Sequence, residues 1–395
     1  MNIHLIKLIA ITLLSMVLTI VSSFVLARLL SVEDRGLHQL FVTAVSYAVT
    51  FATAGSGFAL ALSMRKKQYR HWKSYFLLFL IFAVIIAILG LLLFDFTDYP
   101  QLFIINVLFT ALLTMTLEKV KIDPQLKVYR ILTLQQPILL VTVYGVAYLL
   151  LNEQPLKIAL YLLSLYSLLQ AVSCLFYLYK TEKSFLAKNP DVEKINNKFF
   201  FSTWFKQNIL QIFGATASSI DKFLIVFLLG NYSLGLYTVC IAFDSLVTKF
   251  VNMLADYYYA GLLNHLNRLK AVLAVILLMS VAAVLLVPLL AETVIGFFFS
   301  QKYVEVSSVL IWFILNAILA GLAWVFSQPL LMQGKQVLLF IPQTLSILVF
   351  ILLFYLLKEQ QLYGVAYAFL VGNTVKLLIS LFYYFKYPII EQGAV

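Results

Sequence analysis

The sequence predicts an all-α polytopic membrane protein of about twelve transmembrane helices, in two six-helix bundles related by a pseudo-twofold axis along the membrane normal. Three observations predict it. The 395 residues are 63% hydrophobic and only 11% charged, with a mean hydropathy of +0.98, which is too apolar for a surface in water. Apolar runs of roughly 20 residues follow one another between short polar breaks, the length at which a helix crosses hydrocarbon with its backbone satisfied internally. The third observation is a repeat, in which Leu29, Leu30, Gly36 and Leu37 recur 199 positions later as Leu228, Leu229, Gly235 and Leu236.

Reading the breaks at charge clusters places the spans at 9–30, 38–64, 74–94, 101–117, 131–151, 158–179, 206–230, 234–260, 271–291, 305–332, 337–357 and 362–385. The first run follows Lys7 but is too long for a signal peptide and lacks a small-x-small cleavage site, so it reads as a retained span. The longest break, Lys180 to Lys198, separates an N-terminal bundle, 1–180, from a C-terminal bundle, 206–395, through a cytoplasmic linker over 181–205. Because six spans return the chain to its starting side, the halves share one orientation. A β-barrel would alternate apolar and polar residues, and these runs do not.

Charge orients the chain. Arg65, Lys66, Lys67, Arg70 and Lys73 fall on the side that the positive-inside bias makes cytoplasmic, while Arg35, Lys157, Lys302 and Lys358 fall outside. Both termini are then cytoplasmic. The net charge of +11 is a topology signal facing anionic lipid, and it calls for no nucleic-acid partner. Cys174 and Cys240 lie inside apolar runs and read as small core residues. His4, His38, His71 and His265 are scattered without metal-ligand spacing, so no metal site and no cofactor are expected.

Polar residues inside the spans fall in stripes. Span one carries Thr12, Ser15, Thr19 and Ser22, and the positions 199 later in span seven are Gln211, Gly214, Ser218 and Asp221, with Gln207 one turn earlier. Span two carries Thr43, Ser46, Thr50, Thr53 and Gly57, answered in span eight by Ala242, Ser245, Lys249, Asn252 and Asp256. Small polar stripes also serve close helix packing, and in the N-terminal half that reading stands beside the functional one. Asp221, Lys222, Lys249 and Asp256 change the balance, because an ionisable group at membrane depth costs at least about 2.5 kcal/mol if it faces lipid. They belong on a wet cavity, with Arg28 at the outer end of span one as a third cation that also has the reach to snorkel. Adjacent helical positions point about 100° apart, so Asp221 and Lys222 are expected to seek separate partners.

Several longer segments carry a family resemblance: LARLLSVEDRGLHQL after span one, DKFLIVFLLGNYSLGLYTV through spans seven and eight, FSQKYVEVSSVLIWFILNAILAG into span ten, and YGVAYAFLVGN opening span twelve. With these the chain resembles Wzx-type polysaccharide flippases of the multidrug/oligosaccharidyl-lipid/polysaccharide exporter superfamily over nearly its whole length. The resemblance implies two six-helix bundles around a cationic cavity, alternating access, and a polyprenyl-diphosphate-linked oligosaccharide as cargo. It further implies that basic residues in spans one, two, seven and eight engage the diphosphate, a part open here to Arg28, Lys222 and Lys249. Span two offers only Thr and Ser where some relatives have a cation.

The residues suit that cargo on physical grounds. A sugar diphosphate cannot shed its water in hydrocarbon, so it needs a hydrogen-bonding path, which Ser22, Thr50, Thr53, Gln207, Gln211, Ser218, Ser245 and Asn252 would line. Arg28, Lys222 and Lys249 would balance its charge, and Asp221 and Asp256 would balance the cavity or couple transport to H⁺ or Na⁺. The expectation is a flippase in the bacterial inner membrane, monomeric, in contact with membrane lipid, and associated functionally with a polymerase and chain-length proteins. The rival of the same fold is a cation-coupled drug or metabolite antiporter, which would use one or two buried carboxylates and an aromatic-lined, cation-accepting cavity, whereas here basic groups match or exceed the acids at depth. A membrane-embedded polysaccharide polymerase or acyltransferase would display a large extramembrane loop or a buried His and carboxylate pair, and the sequence shows neither.

Overall fold

The computed structural model describes residues 3–388 except 95, 97, 122–126, 151–154, 189, 190 and 265, and omits the side chains of 3–10, 12, 13, 94, 150, 155, 182 and 186–188. The two termini, His265 and the side chains of His4 and Thr12 therefore lie outside the described residues. Among those described, almost everything is helical, and ten helices are long and apolar enough to cross a membrane. The protein is a multi-pass, all-α membrane protein.

By contacts between elements the chain divides into two compact units, 1–223 and 224–395. The first unit begins with α1 (Ile3–Leu29) and α2 (Val32–Thr53), joined by a tight break at Leu30 and Ser31. Ser31 caps α2 by accepting the Asp34 N–H at 3.1 Å, and Glu33 and Asp34 place negative charge on the first turn. Next come α3 (Ser56–Arg65), α4 (Trp72–Phe94), α5 (Pro100–Val120), which starts on a proline as helices often do, α6 (Lys127–Leu150) and α7 (Pro155–Lys188). α1 packs on α6, α2 on α4 and α5, and α5 on α7.

Part of the expected linker is ordered structure. α7 continues to Lys188, and β2 (Glu193–Lys194) pairs in parallel with β1 (Gln68–Arg70). Val192, Ile195, Tyr69 and Trp72 bury their side chains in the same cluster as Leu60, Met115 and Phe200. This strap ties 191–196 to the end of the second span, with Lys66 Nζ 3.5 Å from the Phe199 ring centroid.

The helix α8 (Asn197–Leu263) is 67 residues long, about 100 Å at 1.5 Å per residue, and so cannot be one span. It is broken at Gly230, whose φ of 87° and ψ of 176° fit no helix and suit glycine. Gly230 is the position 199 residues after Ser31, which has ψ 166° at the first break. The two interruptions thus fall at corresponding positions of the repeat read from leucines and glycines, with different backbone conformations, φ −64° at Ser31 and 87° at Gly230. The second unit goes on with α9 (Leu269–Phe298), α10 (Ser307–Met332), α11 (Phe340–Leu357) and α12 (Leu362–Lys386), with α12 packed on both α10 and α11. Outward faces rich in residues such as Ile81, Ile85 and Leu92 of α4 and Leu277, Leu278 and Leu289 of α9 are what lipid requires.

Candidate functional site

The second span, expected to be continuous over 38–64, is two helices. α2 stops at Thr53, Ala54 is extended with ψ 136°, Gly55 takes φ +84°, and α3 starts at Ser56. An interrupted helix leaves N–H groups on one side and carbonyls on the other without partners. Here side chains from two other helices take up both sets. Glu118 of α5, only 8% exposed, accepts the Gly55 N–H at 2.9 and 3.1 Å, the Gly57 N–H at 3.1 Å and the Phe58 N–H at 3.4 Å. Asn208 of α8 donates through Nδ2 to the carbonyls of Thr50 at 3.0 Å, Phe51 at 3.3 Å and Ala54 at 3.0 Å.

Gln211, one turn beyond Asn208 on the same face, closes the arrangement by donating to Glu118 Oε1 at 2.9 Å. The packing leaves no space for side chains at the break. A Cβ on Gly55 would stand 2.7 Å from Gln207 Cβ, and one on Gly57 would collide with the Met115 carbonyl. Gln207 is therefore a wall of the break as well as a polar face. Thr50 and Thr53 turn their hydroxyls back onto the carbonyls of Ser46 and Val49 at 2.9 Å each, within their own helix.

Further along α8, Lys222 Nζ lies 3.1 Å from Asp221 Oδ1 and 2.6 Å from the Ser218 carbonyl. This corrects the expectation that Asp221 and Lys222 seek separate partners. The Cβ directions do diverge, but the four-carbon lysine stem is long enough to fold back over its neighbour. Ser218 donates to the Ala215 carbonyl at 3.1 Å. On the same segment Thr216 shares a 3.0 Å hydrogen bond with Tyr47 of α2, and Phe223 meets the Tyr47 ring edge to face.

In α1, Ser22 is buried and donates to the Thr19 carbonyl at 2.7 Å, while Arg28 is exposed. Arg35, expected in an outer loop, is instead in the first turn of α2, buried, with Nη2 3.0 Å from Ser23 Oγ. Span two therefore does contain a cation, brought into the helix by the Ser31 cap, which starts α2 earlier than its apolar run. Beside it His38 Nε2 and the Tyr144 hydroxyl are 3.0 Å apart and buried.

The second unit holds the remaining candidates on 231–263. Lys249 and Asp256 are exposed, two helical turns apart, with Asn252 half-buried between them. Neither has an ion-pair partner among the described residues. Ser245 is half-buried and donates to the Ala242 carbonyl at 2.9 Å.

A family model described as "Polysaccharide biosynthesis protein" matches residues 4–257, well over half the chain. The chain belongs to the polysaccharide biosynthesis protein family. Solved structures place this family member's fold among membrane transporters. It is similar to an inward-facing multidrug resistance MATE family transporter of the MOP superfamily, with TM-score 0.71, 13% identity and 94% of each chain covered. It is also similar to the lipid II flippase MurJ in an inward closed conformation, with TM-score 0.68, 15% identity, and 98% of this chain and 89% of that one covered. An outward-facing MATE transporter matches with TM-score 0.60, 13% identity and coverage of 96% and 95%. No curated protein matches the sequence.

Within this polysaccharide biosynthesis protein, the first unit brings Gln207 and Gln211 to the break in span two, and pairs Asp221 with Lys222 and Ser218. Lys249, Asn252 and Asp256 share one face in the second unit, whereas Ser22, Thr50 and Thr53 bond within their own helices. Glu118 and Asn208 went unseen in the sequence. Glu118 sits among Lys119 and Lys121 at a span end, where a charge reads as interfacial, and its signal was the Gly55-x-Gly57 pair that calls for an outside acceptor. Among the described residues no group of three or more His, Cys, Asp or Glu is placed to hold a metal.

Proposed function

We propose that this chain is a flippase that carries a polyprenyl-diphosphate-linked oligosaccharide, such as an O-antigen or another surface polysaccharide repeat unit, across the bacterial inner membrane by alternating access. Cargo moves from the cytoplasmic to the periplasmic leaflet. The observation that carries the reading is Lys249, an exposed cation halfway along a membrane-crossing helix in a protein of a polysaccharide biosynthesis family. Lipid would not tolerate that charge, whereas a diphosphate needs it. Lys222 is already neutralised by Asp221 in this conformation, so Lys249 supplies the main counter-charge, with Arg28 and Lys222 as the further cations of the path. The inside-negative potential favours outward movement of two negative charges by about 4.6 kcal/mol per 100 mV, less any charge the moving protein carries.

In this reading the twelve spans form two six-helix halves of like orientation with cytoplasmic termini. No covalent step is required, so the protein is not an enzyme and needs no cofactor beyond coupling to H⁺ or Na⁺ through Asp221. It acts as a monomer beside a polymerase and chain-length proteins. The MATE-like fold keeps a drug antiporter as the second reading. One experiment separates them: a flippase-null strain is supplied with this gene and scored for surface glycan, for lipid-linked sugar held on the cytoplasmic face, and for drug resistance. Restored glycan with unchanged drug resistance is the expected result. Drug resistance without glycan overturns it.

A further inference from the structure

The arrangement around Gly55 does more than the packing of a bundle needs. A continuous helix over 32–65 would satisfy the groups at the break by itself, with neither a buried carboxylate nor a residue at positive φ. This chain has an interruption, and the groups that satisfy it come from α5 on one side and α8 on the other. The position of the break is informative. The 34-residue span 32–65 is broken in its second half, the half that the positive-charge bias makes cytoplasmic.

We infer that the Gly55 break is a hinge in the second span and that Glu118, Asn208 and Gln211 form a cytoplasmic-side latch, which holds the hinge shut while the first segment of α8 is seated against it. This rests on the transporter reading above and adds to it the part that governs access from inside. The chemistry supports a latch that opens as a unit. Glu118 offers two oxygens to three backbone N–H groups at the N-terminus of α3, where the helix dipole also favours an anion, so the carboxylate stays with α3. Asn208 and Gln211 are the detachable half. They share one face of α8, and withdrawing that face removes the donor from Glu118 and from the carbonyls of Thr50, Phe51 and Ala54 in one step.

The Thr50 carbonyl keeps the Ala54 N–H at 3.2 Å, but those of Phe51 and Ala54 then have to turn to water, which bends the chain at Ala54. Span seven in this way reports its position to span two. The absence of any side chain on Gly55 and Gly57 keeps the surfaces in contact until the latch lets go.

The test uses the full chain in lipid nanodiscs, with amide hydrogen exchange read over 54–58 and 204–211, and export of the cell's own surface glycan scored in parallel. In wild type the amides of Gly55, Gly57 and Phe58 are expected to exchange together with 204–211 in one correlated opening. Gln211→Leu keeps the bulk and removes the donor to a carboxylate, so exchange at 55–58 should rise about tenfold and export fall about tenfold at unchanged abundance and melting temperature. Asn208→Ala, a buried position outside the proposed cargo path, should give the same pair of effects. Exchange at 55–58 that does not respond to either variant, or that rises while export stays at the wild-type level, overturns the latch. The exchange arm requires no cargo, so a wild-type protein that fails to move polyprenyl diphosphate in liposomes defeats the cargo assignment alone, and the exchange result still decides the latch.

Discussion

In span two the helix stops at Thr53, restarts at Ser56 and is held by Glu118 and Asn208, whereas 199 residues later 231–263 runs unbroken to Leu263. The counterparts of Thr50, Thr53 and Gly57 in that later helix are Lys249, Asn252 and Asp256. In the first copy the polar groups bond to backbone, with hydroxyls on their own helix and a carboxylate on the backbone of its neighbour. In the second copy two ionisable groups are exposed. One repeat thus uses its polarity to hold and hinge its own backbone, and the other presents polarity to something outside the helix. Duplicated sequence patterns need not carry duplicated chemistry.

The largest effect expected from this contrast is on folding in the first unit. Glu118→Ala leaves the N–H groups of Gly55, Gly57 and Phe58 without an acceptor, each at about 1–3 kcal/mol, and should destabilise the protein by about 3–5 kcal/mol. Thermal unfolding in detergent and the amount of protein in the membrane measure it. A loss under about 1 kcal/mol would mean that the first repeat is not organised around this carboxylate.

Next comes transport by the second unit. Lys249→Ala should lower flipping tenfold or more while abundance stays at the wild-type level, because a charge-assisted contact to phosphate is worth about 1.5–3 kcal/mol. Lys249→Arg should retain more activity, since both side chains present positive charge. If lipid-linked sugar does not accumulate on the cytoplasmic face in the alanine variant, the exposed face of span eight is not the cargo face.

A smaller effect is expected at Asp221, which already has Lys222 as its counter-ion. Asp221→Asn should keep expression and reduce export by less than about tenfold, the equivalent of 1.4 kcal/mol. Equal complementation by this variant and wild type across external pH and Na⁺ would remove Asp221 from ion coupling and leave it as a structural partner of Lys222.

The membrane class and the helical content were plain from the sequence because hydrocarbon imposes one strong rule, about 20 apolar residues with backbone satisfied internally. The repeat was also read there, and helix interruptions fall at its corresponding positions Ser31 and Gly230. Individual partners were harder to read. Arg35 looked like a loop residue because the apolar run begins after it, and only the cap at Ser31 carries the helix back far enough to bury it. The Asp221 and Lys222 pair was missed because the rule for helical neighbours concerns Cβ directions and says nothing of how a long side chain bends.

By itself the sequence determined that this chain is a bundle of membrane helices with a doubled pattern and ionisable groups concentrated in spans seven and eight. Those properties are local, set by the hydropathy and spacing of residues within single segments. Only the tertiary structure decided that Glu118, 63 residues from Gly55, is the acceptor for a broken helix and that Asn208, 154 residues from Ala54, is the donor. Hydropathy carries no record of which helix stands beside which, and an unpaired N–H or carbonyl can be satisfied by any polar side chain that packing delivers. That choice is made only when the helices come together.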